Sequence, residues 1–458
     1  MSEKFEVAHY SIGDKLIWGL AQLGTSLVSG VFATTLPIFY HVYLGLDPFF
    51  ISIAAWLYAI WNALNDPIFG YISDKTKSKK GRRIPFLRYT APFLALTFIL
   101  VWFVPPSLDD FSIFLWMLIS MALYDTSYTI IGLVYSALLP EVTEDDKERG
   151  ELQKFSSLFY LLGAILGFLI PDLIRPHVGD PNLIPLYSGV IVIGIVAALL
   201  IYPVTYRFKE RPEFTQVDKP LGLKDSIKYT FKSKSFIILA TANFMSIFFQ
   251  QIILSFMFYL ADYVLMTSTI LLLAALFIGL IVGVLLSNIL AKKFGVVQAD
   301  QILLCIGGIP LILIPFISEF LIYVCLFFAG VGLSGPLVLT NVLFAQVADE
   351  DETKSGVRRE ASFFGVNAML TKPAQSVAIA LGPWLIELAG FNSALTIQPE
   401  PAMLMIRILI GLIPGVAALL EIMILMLYPL KSTYLKEIQE KVLVMHSEKK
   451  AKLEAIRS

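Results

Sequence analysis

The most constraining feature of this chain is a succession of long apolar stretches, each separated from the next by a polar segment. Each stretch is about as long as, or longer than, the ~20 apolar residues with which a helix crosses a bilayer. Open strands would leave their backbone groups unpaired in hydrocarbon, so helices are expected. Twelve stretches are present, at 15–45, 48–73, 86–106, 110–140, 152–174, 184–206, 235–263, 267–291, 299–317, 319–347, 361–389 and 403–430. The pattern predicts an all-α polytopic membrane protein with 12 transmembrane helices.

The composition supports a membrane protein and argues against other classes. Of the 458 residues, 57% are hydrophobic and 16% are charged, whereas soluble domains have roughly 45–50% apolar and about 25% charged residues. The net charge of −1 argues against a nucleic-acid partner. Cys305 and Cys325 lie in apolar stretches, so neither a disulfide scaffold nor a cysteine-based zinc site is expected. The lipid bilayer is the expected partner, and neither a cofactor nor an oligomer is required.

The basic residues predict the orientation of the chain in the membrane. Of the 35 lysines and arginines, only Arg175, Lys372 and Arg407 lie outside the segments on one side of a twelve-span topology. Cytoplasmic loops carry an excess of Lys and Arg, so both termini are predicted to be cytoplasmic. The expected location is the cell membrane, which the chain crosses several times.

The longest polar segment, which is charged and contains two prolines, divides the apolar stretches into six and six. We predict four parts: an N-terminal six-helix bundle at 1–206, a cytoplasmic linker at 207–234, a C-terminal six-helix bundle at 235–430 and a cytoplasmic tail at 431–458.

A short internal repeat relates the two halves. Three residues at the start of the fifth helix recur with the same spacing at the start of the eleventh: Arg149, Glu151 and Phe155 correspond to Arg358, Glu360 and Phe364. Two pseudo-symmetric bundles of six helices are typical of the major facilitator fold, in which the substrate binds near the middle of the membrane.

Polar residues inside the apolar stretches are the candidates for substrate binding. In the second stretch Tyr58, Asn62, Asn65 and Asp66 share one helix face, and stripes in the first, fourth, seventh and eleventh stretches are expected to line the same cavity. The predicted substrate-binding residues are Gln22, Ser26, Tyr58, Asp125, Tyr128, Asn243, Gln250 and Gln375. The alternative is that they serve only as hydrogen bonds between membrane helices.

Asp66 and Lys372 are the charged residues placed most securely inside membrane spans. Such a charge costs about 2.5–3.5 kcal/mol on insertion scales. A carboxylate beside a cavity binds a cation such as Na⁺ or, when burial favours the neutral form, a proton. Loading Asp66 would weaken its attraction to Lys372, which gives a two-state element biased by the cation. A plain structural ion pair is the alternative. Glu387 and Glu421 lie near helix ends and are expected to reach the interface.

The second helix and the loop after it contain a recognisable motif. It reads Asn65-Asp66-Pro67, then Gly70 and Asp74, then Gly81-Arg82-Arg83 and Pro85. This run closely resembles the signature of the glycoside–pentoside–hexuronide:cation symporter family, the melibiose-permease-like branch of the major facilitators. Tyr128-Thr129, Ser136 to Pro140, Asp146 to Arg149 and Lys372 match it as well. The resemblance extends over essentially the whole chain.

The resemblance implies roles for particular residues. Asp66 matches a carboxylate of the cation site, Thr129 the threonine beside it and Lys372 the lysine that approaches it, with Asn62 and Asn65 as neighbours. A cytoplasmic gate is implied at Asp74, Arg82, Arg83 and Arg149, to which the internal repeat adds Arg358 and Glu360.

The departures from the family pattern matter equally. Asn62 stands where the melibiose permeases have a second aspartate of the cation site, which favours H⁺ over Na⁺, although a Na⁺ at Asp66 stays open. Ser26 and Gly132 stand in place of their sugar-holding acids, and Ser157 in place of an arginine. A galactoside site of that design is therefore not expected.

The sequence therefore predicts a secondary active transporter that performs cation-coupled symport of a sugar or glycoside by alternating access. Its partner would be a small-molecule substrate. One alternative is a lysolipid, another amphiphile or another small solute as the cargo. A membrane enzyme is disfavoured because the sequence contains none of the common catalytic or phosphate-binding motifs.

Overall fold

The computed structural model describes residues 10–75, 83–142, 146–176, 182–209, 230–355 and 360–430 without 394 and 396, together with 434–438, 440–442 and 444. Within these residues the chain forms twelve long helices and no strand. They are α1 (Ile12–Tyr43), α2 (Pro48–Lys75), α3 (Ile84–Trp102), α4 (Asp110–Val142), α5 (Asp146–Ile174), α6 (Ile184–Arg207), α7 (Lys234–Leu265), α8 (Thr269–Phe294), α9 (Val296–Phe316), α10 (Glu319–Ser355), α11 (Glu360–Leu388) and α12 (Glu400–Met426). The predicted number of helices is confirmed.

Ten of these helices are long and apolar enough to cross a membrane by length and composition. Among the described residues, α2 and α11 are the two that do not meet this measure. They are the helices on which the sequence places Asp66 and Lys372. Large apolar side chains such as Phe93, Ile195 and Leu199 are exposed along α3 and α6, as expected for a surface that contacts hydrocarbon.

The ends of several helices are fixed by local hydrogen bonds. α1 begins with a capping box, in which Ser11 Oγ accepts from the Asp14 backbone N–H at 3.2 Å and Asp14 Oδ2 accepts from the Ser11 N–H at 3.1 Å. α2 begins after Asp47, whose carboxylate accepts from the Phe49 N–H at 2.8 Å. π-helical turns end α1 and α7 and interrupt α12, at Phe39–Tyr43, Ala261–Leu265 and Ile408–Leu412.

The chain packs as two compact units. The first contains residues 1–220, 254–273 and 376–406. In it α1 packs against α5 and α6, α3 against α4 and α6, and α2 against α4. Glycines let α1 and α5 approach closely, since a Cβ placed on Gly30 would lie 2.9 Å from the Cα of Gly167.

The first unit also includes the final part of α7, the start of α8 and the final part of α11. We call the end of the first unit at which α1, α5, α7 and α11 finish the distal end, and the opposite end the proximal end. At the distal end Ser255 of α7 donates to the backbone oxygen of Ala33 in α1 at 3.3 Å. Ser52 of α2 donates to the backbone oxygen of Ala380 in α11 at 2.7 Å. The division of the sequence at 206 and 235 stays a prediction.

The second unit contains residues 221–253, 274–375 and 407–458. Its centre is α9, which packs against α10 and against the last part of α12. A Cβ on Gly307 of α9 would lie 2.7 Å from the Cα of Gly332 in α10, and one on Gly415 of α12 would lie 2.8 Å from the backbone oxygen of Gly308. Small residues therefore let α9 approach both neighbours backbone to backbone, as is common in membrane helices.

Candidate functional site

The predicted polar stripe of α2 meets α4 at a buried carboxylate. The hydroxyl of Tyr58 donates to Asp125 Oδ1 at 3.2 Å, and the amide nitrogen of Asn65 donates to Asp125 Oδ2 at 2.7 Å. Asp125 is only 5% exposed. Both carboxylate oxygens of Asp125 thus accept hydrogen bonds from α2, so Asp125 links α2 to α4.

Asn62, Asp66 and Thr129 are buried in the same region of the first unit. Asp66, which is 8% exposed, lies one helical turn after Asn62. Thr129 lies one turn after Asp125, and Tyr128 is close to both Asp66 and Asp125. The structure thus brings together four of the predicted cation-site residues, Asn62, Asn65, Asp66 and Thr129, beside the predicted substrate residues of α2 and α4.

Two oxygen atoms of this cluster are unusual. Oδ1 of Asn62 and Oδ1 of Asn65 are buried and have no hydrogen-bond partner among the described residues. Leaving a buried acceptor unsatisfied costs roughly 1–3 kcal/mol. Carbonyl oxygens of amides are among the ligands that hard cations use, so these two atoms are candidate ligands, and the cation site on α2 stays a prediction.

The predicted substrate residues of α1 show mixed roles. Ser26 is buried and its hydroxyl donates to the backbone oxygen of Gln22 at 2.7 Å. A Cβ on Gly163 of α5 would overlap the Ser26 hydroxyl, so Ser26 serves the α1–α5 packing. Gln22 is half-buried. Gly132 is exposed, and a Cβ there would meet no atom within 4 Å of it.

The second unit holds the predicted residues of α7 and the first part of α11. The amide of Asn243 donates to Oδ1 of Asn367 at 3.2 Å, and Thr371 donates to the backbone oxygen of Asn367 at 2.9 Å. Gln250 and Gln375 are exposed, and Lys372 is half-buried. Asp66 belongs to the first unit and Lys372 to the second, and the predicted coupling between them stays a prediction.

Most of the predicted cytoplasmic gate lies outside the described part of the chain. Arg83, at the start of α3, is described and is buried. The side chains of Asp74, Arg82, Arg149, Arg358 and Glu360 lie outside the described residues. The proximal end of the first unit is nevertheless joined by ion pairs. Asp14 of α1 pairs with Arg207 of α6, and Lys15 pairs with Glu148 of α5 at 3.2 Å.

Sequence reasoning did not predict the ion network at the distal end of the first unit. The guanidinium of Arg175, after α5, donates to Asp172 at 2.8 Å, to Asp262 of α7 at 2.9 Å and to the hydroxyl of Thr269 in α8 at 3.0 Å. It also lies over the ring of Phe258, 4.1 Å from its centre. The signal was available, because Arg175 is one of the three basic residues outside the segments that the sequence predicts to be cytoplasmic.

His41 forms a second connection at the distal end. Its Nδ1 is 2.9 Å from the hydroxyl of Tyr259 in α7, and its Nε2 is 3.2 Å from Glu387 at the end of α11. His41 lies in the π-helical turn that ends α1 and is buried. The ends of α1, α7 and α11 are therefore joined through one imidazole.

The expectation that Glu421 reaches the interface is wrong. Glu421 is only 1% exposed, and its Oε1 accepts a hydrogen bond from the hydroxyl of Ser246 in α7. Sequence position indicates how far a residue is from a helix end, but the direction of its side chain depends on how α12 is rotated against its neighbours. Asp300 of α9, which sequence reasoning did not single out, is likewise 1% exposed.

The arrangement of helices is that of known membrane transporters. The xylose transporter XylE of E. coli, in its inward-open conformation, superposes with a TM-score of 0.66 at 13% identity, covering 94% of this chain and 99% of XylE. A point mutant of the nucleoside transporter NupG gives a TM-score of 0.66 at 13% identity, covering 90% of this chain and 99% of NupG. The chain therefore has the fold of these two proteins.

Sequence comparisons define the family. A sequence model described as MFS/sugar transport protein matches residues 17–432, and the chain belongs to this family. The protein is a transporter of a small molecule and not an enzyme. An uncharacterized symporter of Synechocystis is 23% identical, with 96% of this chain and 98% of that protein covered.

Two further relatives carry more specific descriptions. The putative glycoside/cation symporter YagG of Escherichia coli is 23% identical, with 94% of each chain covered. The human sodium-dependent lysophosphatidylcholine symporter 1 is also 23% identical, with 84% of this chain and 77% of that protein covered.

Proposed function

We propose that this protein is a secondary active transporter that carries a sugar or glycoside in symport with a cation, by alternating access. The observation that carries the proposal is the buried cluster on α2 and α4, in which Asp66 lies among amide and hydroxyl groups within an apolar bundle. Holding a carboxylate there has a free-energy cost, which a bound cation or proton offsets. The relatives described as symporters support the same mechanism.

H⁺ is the proposed coupling ion, with Na⁺ as the second candidate. H⁺ is favoured because Asp66 is the one carboxylate of the α2 stripe, with Asn62 one turn before it on the same face. A proton needs one oxygen, whereas a metal cation needs several oxygen ligands. Na⁺ has specific support as well, because Oδ1 of Asn62 and Oδ1 of Asn65 are buried without a partner among the described residues.

The proposed cargo residues are polar groups of the helical stripes. Amide and hydroxyl groups of the kind that bind sugar hydroxyls are present at Gln22, Tyr58, Tyr128, Asn243 and Gln250. We propose that Asp125 and Gln375 belong to the same set, and that Ser26 limits the set on α1. A lysolipid is the second candidate cargo, since relatives described as lysophosphatidylcholine symporters align over most of the chain.

The proposed location is the cell membrane, with both termini in the cytoplasm. The one-sided distribution of the 35 basic residues supports this orientation. The distal end of the first unit would then face the outside. Arg83 would belong to a gate on the cytoplasmic side, together with Asp74, Arg82, Arg149, Arg358 and Glu360.

The test is uptake by purified protein in sealed proteoliposomes with an imposed proton or sodium gradient. We expect uptake of at least one labelled glycoside from a carbohydrate panel to rise with the inward proton gradient. Asp66→Asn should abolish this rise, whereas the control Asp110→Asn should keep it, because Asp110 is an exposed carboxylate at the start of α4. Uptake that ignores both gradients would contradict the proposal.

The cargo is tested separately by thermal stabilisation. A ligand that binds the folded protein stabilises it by mass action, so a panel of sugars and lysolipids separates the two candidates. Stabilisation by lysophosphatidylcholine and by no sugar would move the proposal to the lysolipid. Stabilisation by a glycoside that is lost in Asn243→Ala would support the sugar site.

A further inference from the structure

Two acidic side chains, on α9 and α12, are buried together in the second unit. Asp300 lies in the first turns of α9, and Glu421 lies in the last turns of α12. Each is 1% exposed. Neither residue belongs to the polar stripes that predict the transport site, so their burial needs an explanation of its own.

The packing of α9 and α12 places the two carboxyl groups at the same level. The amide of Gln301, next to Asp300, donates to the backbone oxygen of Ile422, next to Glu421, at 3.2 Å. Further along the same helices, a Cβ on Gly308 would lie 3.3 Å from the backbone oxygen of Gly415. The helices are therefore antiparallel and in close contact, and Asp300 and Glu421 are the sequence neighbours of the two residues that form this bond.

The two carboxyl groups have few hydrogen-bond partners. Glu421 Oε1 accepts from the Ser246 hydroxyl of α7, while Glu421 Oε2 and Asp300 Oδ1 are buried with no hydrogen-bond partner among the described residues. Asp300 Oδ1 lies against Gly335 of α10, where a Cβ would come within 2.4 Å of it. The glycine thus leaves room for a carboxyl oxygen, Asp300 Oδ1, that has no hydrogen-bond partner among the described residues.

No cation of the described chain compensates the pair. The titratable groups on the surrounding helices include Lys234 of α7, Cys305 of α9, Cys325 and Glu350 of α10, Arg407 and Tyr428 at the two sides of Glu421, and Lys292 and Lys293 at the end of α8. Both lysines of α8 are exposed, and neither forms an ion pair with Asp300 or Glu421; Lys293 lies over the ring of Phe294. Lys234, Glu350 and Arg407 lie ~15 Å or more along their helices from Ser246, Gly335 or Glu421, at 1.5 Å per residue. Cys305 is a neutral thiol, and the Tyr428 hydroxyl is bonded to the backbone oxygen of Leu343 at 3.1 Å.

Two ionised carboxylates cannot stay buried next to each other without a paired cation, since removing each from water carries a large free-energy cost and their charges repel. A proton on the pair removes this cost, and it needs only one of the free oxygens. A divalent metal would need about six oxygen ligands, which this site does not offer among its described groups. Both residues lie within two turns of the ends of their helices, where a proton has a short path to water.

We propose that Asp300 and Glu421 form a proton-binding site in which the two carboxyl groups titrate as one coupled unit. The site exchanges its proton with the side of the membrane at which α9 begins and α12 ends. It is separate from the cation site proposed at Asp66, and it requires no substrate. Because the two groups interact, each apparent pKa describes the pair and cannot be assigned to one residue.

The test is infrared spectroscopy of the purified full-length protein in lipid, in H₂O and D₂O, across a pH series. The probe is the carbonyl absorption of protonated carboxylic acids, which shifts in D₂O. We expect a wild-type band of this kind whose intensity changes with pH. Glu421→Gln should move the pH midpoint of the remaining Asp300 band toward acid by about one pH unit or more, because the neighbouring carboxyl is gone. Glu400→Gln is the control, because Glu400 is exposed at the start of α12.

A milder variant covers the case in which Glu421→Gln does not fold. Ser246→Ala removes one hydroxyl and should shift the frequency of the wild-type band, because Glu421 loses its hydrogen bond. The proposal would be overturned if the wild-type band did not change with pH. It would also be overturned if Ser246→Ala and Asp300→Asn both gave the same band as wild type. The measurement involves no transport, so its outcome is independent of whether symport is observed.

Discussion

Arg175 and Asp262 form a buried ion pair that joins the end of α5 to the end of α7. The guanidinium donates to Asp262 at 2.9 Å and to Asp172 at 2.8 Å, and the Arg175 side chain is fully buried. The two partners are far apart in sequence, and both belong to the first packing unit. If the proposed orientation holds, this pair closes the outer end of that unit, and its rearrangement would accompany opening to the outside.

Removing this guanidinium is expected to be costly. Arg175→Met would leave two carboxylates buried without a cation, and breaking a buried pair in this way costs about 3–5 kcal/mol. Arg175→Lys should cost less, since a lysine keeps the charge but cannot bond both carboxylates with one planar group. The stability losses of Arg175→Met and Arg175→Lys are measured by thermal unfolding in one detergent. Lys293→Met is the control, because Lys293 of α8 is exposed. An unfolding temperature of Arg175→Met equal to that of the control would contradict this role.

The contact between α2 and α4 is expected to depend on the hydrogen-bond acceptor that Asp125 provides more than on the negative charge of Asp125. Asp125→Leu would leave the buried amide of Asn65 without its acceptor, at a cost of about 1–3 kcal/mol. Asp125→Asn keeps an oxygen for Asn65 and should be close to wild type in stability. Tyr58→Phe removes one interhelical hydrogen bond, which is worth about 0.6–1.7 kcal/mol in a membrane protein. Equal losses in Asp125→Asn and Asp125→Leu would show that the charge is what stabilises the contact.

The sequence was sufficient for the number of helices, because the length of apolar segments is set by the bilayer. It was less accurate at the start of α5 and at the end of α10. There the helix begins at Asp146 where 152 was predicted, and continues to Ser355 where 347 was predicted. In both cases polar residues continue the helix beyond the apolar stretch, and hydropathy does not report on them.

The polar partners could be predicted only in part. Periodicity placed Tyr58, Asn65 and Asp66 on one face of α2, and the structure confirms that Tyr58 and Asn65 share one partner. That this partner is Asp125 depends on the rotation of α4, which its sequence does not specify. The same reason explains the wrong expectation for Glu421. The Arg175 network joins α5, α7 and α8, so no single segment of the sequence contains it.

If Asp66 and Lys372 are coupled as the sequence predicts, removing the lysine should favour the loaded state of the cation site. Lys372→Gln would abolish the attraction that competes with the cation. Half-maximal uptake should then occur at a lower cation concentration, by about tenfold for a coupling of typical size. The measurement is uptake by proteoliposomes as a function of external pH or Na⁺, with Lys292→Gln, an exposed lysine, as the control. A cation dependence unchanged from wild type would remove Lys372 from the mechanism.

The close packing of α9 on α10 predicts a strong contrast between two glycines. In Gly307→Ala the new Cβ would lie 2.7 Å from the Cα of Gly332, and backbone cannot move aside as a side chain can. Overpacking of this kind costs about 1–3 kcal/mol. In Gly132→Ala the new Cβ would meet no atom within 4 Å, so the better helix propensity of alanine should stabilise α4 by up to about 1 kcal/mol. Thermal unfolding of both variants in the same detergent tests the contrast. Equal stabilities would mean that α9 and α10 can separate without cost, against the backbone-to-backbone contact that holds the second unit together.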